Sequence, residues 1–193
     1  YCTHMFALKK KYFLLIENTK DINLKNIKKR NKFSIIYRNF SNKESKVNLL
    51  KFRKECQIRG VNFYIANDIK LAKYLNSNGV YLSSFNKSLD SLKFKNSNFE
   101  IIGSAHSTKE IAMKVNQGCK SILFSKLFLV SYNKKAPYLG IIKFNNYLKI
   151  NKDLIPLGGI NLKNLNSLKK VNSVGFALLS AIKKPTNIIS RLF

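Results

Sequence analysis

The sequence predicts an α/β fold and, within that class, a compact (β/α)8 TIM barrel. Eight short apolar runs alternate with eight amphipathic segments, and the pair recurs about every 20–25 residues. The runs are apolar throughout, which is typical of parallel strands that are buried on both faces. With 193 residues the chain has room for eight such units and for no second domain, so we expect a single barrel domain over residues 1–193.

Each predicted strand is a short run dominated by aliphatic and aromatic residues. The eight runs are residues 11–17, 33–38, 61–66, 79–83, 100–103, 121–128, 154–158 and 174–179. The main alternative is an open, doubly wound sheet, which has a glycine-rich first turn. The first run ends instead in Glu17, Asn18 and Thr19, without glycine, and this favours the barrel.

The segments between the runs carry apolar residues at helical spacing. Helices are therefore expected over residues 21–30, 44–59, 69–75, 89–94, 107–115, 141–150, 162–171 and 186–193. The second of these is the most regular. Its apolar face is predicted to comprise Val47, Leu50, Phe52 and Ile58.

The composition is strongly basic, with 36 Lys and Arg against 9 Asp and Glu and a formal charge of +27. A charge of this size is typical of nucleic-acid binders. The lysines, however, are spread over the whole chain among Asn, Ile and Phe, which is the bias that an AT-rich genome produces. We therefore expect no nucleic-acid partner, and nucleic-acid binding is kept as a third hypothesis.

Three isolated cysteines, without the Cys and His spacing of a metal site, fit a reduced, cytoplasmic compartment. No apolar run approaches the roughly 20 residues of a membrane span, and the first residues lack a signal-peptide pattern. Met5 could be the true start, and residues 1–4 would then be upstream translation or a cloning remnant. Residues 1–10 could be disordered.

Polar residues follow the predicted strands at their carboxyl ends, where barrels of this class hold their active sites. They are Glu17, Arg38, Asn67, Asp68, residues 83–86, 104–106 and 125–133, Gly158, Gly159 and Ser180. The set combines a cation, acids, one histidine, hydroxyls and a glycine pair, and it suits a phosphorylated, anionic ligand. No Cys or Ser is evidently paired with a base, so nucleophilic catalysis is not expected.

The strongest signal within this set is Gly158 and Gly159 in the stretch PLGGIN, with Ser180 in LLSAI. Backbone N–H groups without side chains over them, next to a hydroxyl, form the kind of cup that binds phosphate. Barrels of this class usually carry their phosphate site after strands 7 and 8. The alternative is that the two glycines serve a tight turn alone.

Three other residues also have a structural alternative. Asp68 either caps the helix that starts at residue 69 or binds a metal or ligand. Arg38 either contacts a ligand or lies on the surface. His106 is either hydrogen-bonded in a structural role or transfers a proton.

The order of six short motifs resembles thiamine-phosphate synthase and its relative, the thiazole tautomerase. The motifs are YR at 37–38, AND at 66–68, GVYL at 79–82, IIGSAHS at 101–107, PLGGI at 156–160 and GFALLSAI at 175–182. The likeness extends from about Phe33 to Ile182. It implies an enzyme that joins an aminopyrimidine diphosphate to a thiazole phosphate and expels pyrophosphate with the help of Mg²⁺.

The resemblance also implies roles for individual residues. Catalytic roles fall on Arg38, Asp68, Ser104 and His106, substrate binding on Asn67, Lys134, Gly158, Gly159, Leu179 and Ser180, and Mg²⁺ binding on Asp68 and Asn86. The phosphate cup agrees best with the family pattern. The diphosphate half departs from it at Ile36, Phe40, Asn86 and Asn133.

An amide at position 86 implies a weakened Mg²⁺ site, because a neutral amide binds Mg²⁺ less strongly than a carboxylate. The sequence therefore predicts a divergent thiamine-phosphate synthase that acts on phosphorylated small molecules. A tautomerase-like or non-catalytic thiazole-phosphate-binding relative is the alternative.

Overall fold

A computed structural model of the chain describes residues 11–27, 31–39, 44–94, 97–130, 133 and 135–179. All eight predicted strands are confirmed, and they form one closed parallel barrel in chain order. The strands are β1 Lys11–Ile16, β2 Phe33–Tyr37, β3 Asn62–Ala66, β4 Gly79–Leu82, β5 Glu100–Ala105, β6 Ser121–Ser125, β7 Leu154–Leu157 and β8 Gly175–Leu178. Strand β8 pairs with β1, with Leu178 opposite Leu14, and this pairing closes the barrel.

The strands are buried on both faces, as their unbroken apolar runs predict. Alternate side chains fill the inside of the barrel: Phe13, Leu15, Ile36, Tyr64, Tyr81, Ile102, Leu123, Ile155, Leu157 and Ala177. The remaining strand residues point outward into a larger core beneath the helices. Because the interior is packed with side chains, ligands can approach only at the ends of the barrel.

Four of the predicted helices are α-helices. They are α1 Lys46–Ile58, α2 Ile69–Tyr74, α3 Thr108–Asn116 and α4 Gly140–Ile150. Ser45 caps α1, and Ser107 caps α3 through a bond from the Glu110 N–H to its hydroxyl at 3.3 Å. The helix predicted for residues 186–193 lies outside the described residues, as do residues 1–10.

Three predicted helices are short 3₁₀ turns instead. Residues 21–30 were expected to be one helix, but the described part has turns at Thr19–Asp21 and Leu24–Asn26. Asn18 and Asn23 each accept a bond from a backbone N–H two residues later, and such local bonds compete with a continuous helix. The segments after β4 and β7 likewise form 3₁₀ turns, at Asp90–Phe94 and Leu165–Lys170.

The predicted apolar face of α1 was wrong at Val47, Leu50 and Ile58, whereas Phe52 is buried as predicted. Val47 and Ile58 are 59% and 68% exposed, and the buried residues are Leu49, Phe52, Arg53 and Cys56. This buried set has the i, i+3, i+4, i+7 spacing of one helix face, whereas the predicted set does not keep that spacing. No helix in the described part of the chain is long and apolar enough to span a membrane.

Candidate active site

Arg38 and Ser104 both lie beside the hydroxyl of Tyr81. Tyr81, on β4, is fully buried among the side chains inside the barrel. Burial raises the pKa of its hydroxyl, and the neighbouring Ser104 hydroxyl and Arg38 charge oppose that rise. The backbone N–H of Arg38 donates to the carbonyl of Ile16 at 2.8 Å. Two predicted catalytic residues thus meet at a tyrosine that sequence analysis did not single out.

His106 forms a hydrogen-bonded pair with Ser125. The Ser125 hydroxyl lies 2.8 Å from Nδ1 of His106, and the His106 backbone N–H donates to Oε2 of Glu110 at 2.7 Å. The expectation that no serine is paired with a base is therefore wrong. Strand β6 ends at Ser125, earlier than predicted, so this hydroxyl lies at the strand end next to the residue that follows β5.

The carboxamide of Asn67 connects the ends of β3 and β4. Its oxygen accepts bonds from the Ser83 N–H, the Ser83 hydroxyl and the Asn86 amide, at 3.0, 3.0 and 3.1 Å. The backbone of Asn67 is left-handed, with φ of 58°, a conformation that Asn tolerates. The side-chain oxygen of Asn86 accepts from the Ser88 N–H at 3.0 Å. Both ends of the Asn86 carboxamide are therefore hydrogen-bonded within the protein.

Asp68 is the N-cap of α2. Its Oδ1 accepts a bond from the backbone N–H of Leu71 at 2.8 Å, and its other oxygen makes no hydrogen bond to a described residue. The carboxylate lines a cavity of about 300 Å³ together with Asn67, Asn86 and Ser88. Capping and ligand binding are therefore compatible, because they use different oxygens of the same carboxylate.

These donors fit a magnesium site in part. Nowhere in the described residues do three or more His, Cys, Asp or Glu side chains form a group that could hold a metal. Mg²⁺ is often held by one or two carboxylates together with substrate phosphates and water. The oxygen of Asp68 that is not used in capping fits that pattern. Asn86 fits it less well, since its side-chain oxygen already accepts a hydrogen bond.

Gly158 and Gly159 form a turn that only glycine can occupy without strain. Their φ angles are 92° and 71°, in the left-handed region. A Cβ at position 159 would lie 2.4 Å from the carbonyl oxygen of Phe128, and one at 158 would lie 3.2 Å from Cα of Lys126. The turn after β7 is thus packed directly against the segment that follows β6.

Within the described residues, the N–H groups of the turn have no acceptor. Neither the Gly158 nor the Gly159 N–H donates to any of these residues. Their carbonyls accept bonds from the Phe128 N–H at 3.1 Å and from the Asn164 amide at 2.7 Å. Leu179 packs partly buried against the barrel interior. Ser180 and Lys134, the other substrate-binding predictions, lie outside the described residues, as does Phe40.

A family model described as thiamine monophosphate synthase matches residues 4–182. The chain belongs to the thiamine monophosphate synthase family. Two curated members of this family support the assignment. The thiamine-phosphate synthase of Clostridioides difficile (strain 630) is 26% identical over 155 residues, which are 78% of this chain and 73% of the relative. That of Persephonella marina is 28% identical over 153 residues, with the same shares of 78% and 73%.

Solved structures of other proteins share the fold. A thiamine phosphate pyrophosphorylase from Pyrococcus furiosus has a TM-score of 0.73 at 17% identity, covering 98% of this chain and 95% of that one. Phosphoribosyl anthranilate isomerase from Thermotoga maritima has a TM-score of 0.64 at 14% identity, covering 94% and 96%. At these identities the likeness shows the barrel alone.

Tyr81, inside this thiamine monophosphate synthase family barrel, is a residue that the sequence-based prediction of the site missed. The signal for Tyr81 was present, because alternate residues of the stretch GVYL must face the barrel interior. Ser125 belongs to the polar set 125–133 that the sequence placed at the end of the sixth strand, but its pairing with His106 was not predicted. The pairing depends on where β6 stops, and the apolar run continues beyond that point.

Proposed function

We propose that this chain is a divergent thiamine-phosphate synthase. It would join an aminopyrimidine diphosphate to a thiazole phosphate. A carbon–nitrogen bond forms between the pyrimidine methylene and the thiazole nitrogen, the carbon–oxygen bond to the diphosphate breaks, and pyrophosphate leaves. The observation that carries the proposal is the Gly158–Gly159 turn, in a chain of this family. The two N–H groups of this turn donate to no described residue.

The thiazole phosphate would bind at the Gly158–Gly159 turn. Two adjacent N–H groups in left-handed backbone form an anion-binding concavity. Lys126 lies next to Gly158 and is partly exposed, so its positive charge would attract a phosphate bound at the turn. Ser180 and Leu179 remain predicted contacts of the same ligand.

The diphosphate would bind on the opposite side of the mouth, near Arg38, Asn67 and Asp68. A guanidinium pairs well with phosphate oxygens, and it would stabilise the charge that develops on the departing pyrophosphate. Asp68 is the residue that would hold a Mg²⁺ ion. When bound, the ion would neutralise charge on the diphosphate. Lys134 remains a predicted contact of the leaving group.

Formation of thiamine phosphate from the two substrates tests this function. The purified chain should form product with Mg²⁺ at a rate above that of a heat-denatured control. Asp68→Asn is the matched variant, because Asn still caps α2 but lacks the carboxylate charge. Absence of product above background at micromolar enzyme would refute the proposal.

A tautomerase-like or non-catalytic phosphate-binding role is the second candidate. The Ser125–His106 pair favours it, since a positioned imidazole suits proton transfer and needs no diphosphate. In that case a thiazole phosphate would raise the melting temperature, whereas the pyrimidine diphosphate with Mg²⁺ would not. Equal stabilisation by both ligands would argue against this second role.

A further inference from the structure

Lys114 of α3 is a fully buried lysine, with 0% of its surface exposed. Its ammonium donates to the backbone carbonyls of Ser83 and Asn86 at 2.7 and 2.8 Å, and to the side-chain oxygen of Gln117 at 2.8 Å. The first two acceptors belong to the segment that follows β4, residues 83–91, which we call the β4 loop. The lysine therefore reaches from the outer helix layer to a loop at the mouth of the barrel.

Burial of the Lys114 ammonium carries a desolvation cost, which its hydrogen bonds must offset. All three acceptors of Lys114 are neutral, and no carboxylate forms an ion pair with it among the described residues. Burial lowers its pKa, with a smaller opposing effect of the Cys119 and Glu110 charges. An apolar side chain of similar volume would avoid the desolvation cost of an ammonium. The hydrogen bonds to the β4 loop are what an apolar side chain could not make.

Strand β5 makes room for the lysine at Gly103. A Cβ at this position would lie 2.8 Å from Cδ of Lys114 and 2.8 Å from the sulfur of Cys119. A side chain at position 103 would therefore displace the lysine stem. Gly103 on β5 and Lys114 on α3 therefore pack directly against each other.

Gln117, one turn further along the helix, binds the same loop. Its amide donates to the carbonyls of Asn86 and Ser88 at 3.0 and 2.7 Å. Its backbone carbonyl accepts a bond from the Ser91 hydroxyl at 2.9 Å. Lys114 and Gln117 together thus hold the β4 loop at four residues.

The β4 loop in turn holds the end of β3. Asn86 donates its amide to the Asn67 side chain, and Ser83 donates both its N–H and its hydroxyl to the same oxygen. Asn67 directly precedes Asp68. A chain of hydrogen bonds therefore runs from the buried ammonium, through the loop, to the residues that line the 300 Å³ cavity.

We infer that Lys114 and Gln117 are positioning residues, which fix the β4 loop and through it Asn67 and Asp68 for binding of a diphosphate group. This inference rests on the proposed function for its ligand. The opposing possibility is that the two residues only stabilise the packing of α3 on the barrel.

The order of the loop is tested by hydrogen exchange at the Ser83 and Ser88 amides. Lys114→Met keeps the length of the side chain but removes its three bonds. Gln117→Leu keeps the ammonium but removes the two bonds that the Gln117 amide donates and the one that its oxygen accepts from Lys114. Phe144→Leu is the control, since it loosens the core beneath α4, on another side of the barrel. Both loop variants should speed exchange of these amides by at least about tenfold relative to a control of equal melting temperature. Unchanged loop exchange would overturn the inference.

Binding of pyrophosphate with Mg²⁺, measured by calorimetry, tests the effect on the site. Lys114→Met and Gln117→Leu should each weaken this binding by about tenfold or more, which corresponds to about 1.4 kcal/mol. Binding of a thiazole phosphate should change less than about twofold. Equal weakening of both ligands would indicate a purely structural role and would overturn the inference. Neither measurement requires turnover. Failure to form thiamine phosphate would therefore refute the proposed function but would not decide the inference about Lys114 and Gln117.

Discussion

The Ser125 hydroxyl lies 2.8 Å from Nδ1 of His106, so the two residues form a hydrogen bond between the ends of β5 and β6. The backbone N–H of the same histidine is held by Glu110 at 2.7 Å. Both the main chain and the ring of His106 are thereby oriented by neighbours. The other ring nitrogen, Nε2, makes no hydrogen bond to a described residue, and the side chain is exposed.

Replacing Ser125 with Ala should release the imidazole ring without disturbing the barrel. The hydrogen bond between the hydroxyl and Nδ1 would be lost, so we expect the tautomer populations of His106 to shift. Nitrogen chemical shifts from long-range heteronuclear correlation report the tautomer directly. His4→Gln in the same background leaves a single histidine to assign. An unchanged tautomer in Ser125→Ala would show that the pair has no orienting role.

Two substitutions at Asp68 separate capping from charge. Asp68→Ala removes the bond to the Leu71 N–H and should lower the free energy of unfolding by about 1 kcal/mol. Asp68→Asn retains a capping oxygen, so its stability should stay close to that of the wild type. Both variants should lose on the order of 10²–10³ in the rate of thiamine phosphate formation.

Urea unfolding and steady-state kinetics on the two Asp68 variants provide the check. If Asp68→Asn were as active as the wild type, the carboxylate would serve only as a helix cap. If its activity fell while its stability held, the charge itself would be required.

Gly159 and Gly140 offer a matched pair for the phosphate turn. Both have φ of 71°, but a Cβ at Gly140 meets no atom within 4 Å, whereas one at Gly159 meets the Phe128 carbonyl oxygen at 2.4 Å. Gly140→Ala should therefore cost only the conformational term of about 1–2 kcal/mol. Gly159→Ala should cost more, and it should abolish stabilisation by a thiazole phosphate that Gly140→Ala retains. Thermal shifts with and without the ligand measure this, and equal behaviour of the two variants would exclude the turn as the phosphate site.

Cys56 and Cys119 should make the protein sensitive to alkaline pH. Burial raises the pKa of each thiol to about 12, from an ordinary value near 9. The folded state then binds more protons than the unfolded state between these values. The stabilisation is complete below about pH 9 and is lost as the pH rises towards 12, at up to about 1.4 kcal/mol per pH unit for each thiol.

Urea unfolding between pH 8 and 10.5 measures the contribution of Cys56. The free energy of unfolding should fall less steeply with pH in Cys56→Ala than in the wild type, even though the variant starts from a lower stability. The buried tyrosines act equally in both proteins, so they cancel in the comparison. Parallel curves would show that Cys56 ionises as readily in the folded chain as in the unfolded one.

The barrel was predictable because its signal is repeated eight times along the chain and depends only on local composition. The short turns were not, because Asn18 and Asn23 form local bonds whose effect outweighs the apolar spacing of residues 21–30. The Ser125–His106 pair joins two strand ends and depends on the exact length of β6. Apolar patterning assigns every lysine to the surface, so it could not predict the burial of Lys114. The sequence feature that accompanies this burial is Gly103, on the strand against which the lysine packs.

The most direct test of the proposed function is a single reaction in which thiamine phosphate and pyrophosphate are both quantified. The purified chain is incubated with the aminopyrimidine diphosphate, the thiazole phosphate and Mg²⁺, and Asp68→Asn is treated in parallel. We expect the two products to appear in equal amounts and to fall by at least about a hundredfold in rate in the variant. Pyrophosphate without thiamine phosphate, or neither product, would contradict the assignment as a synthase.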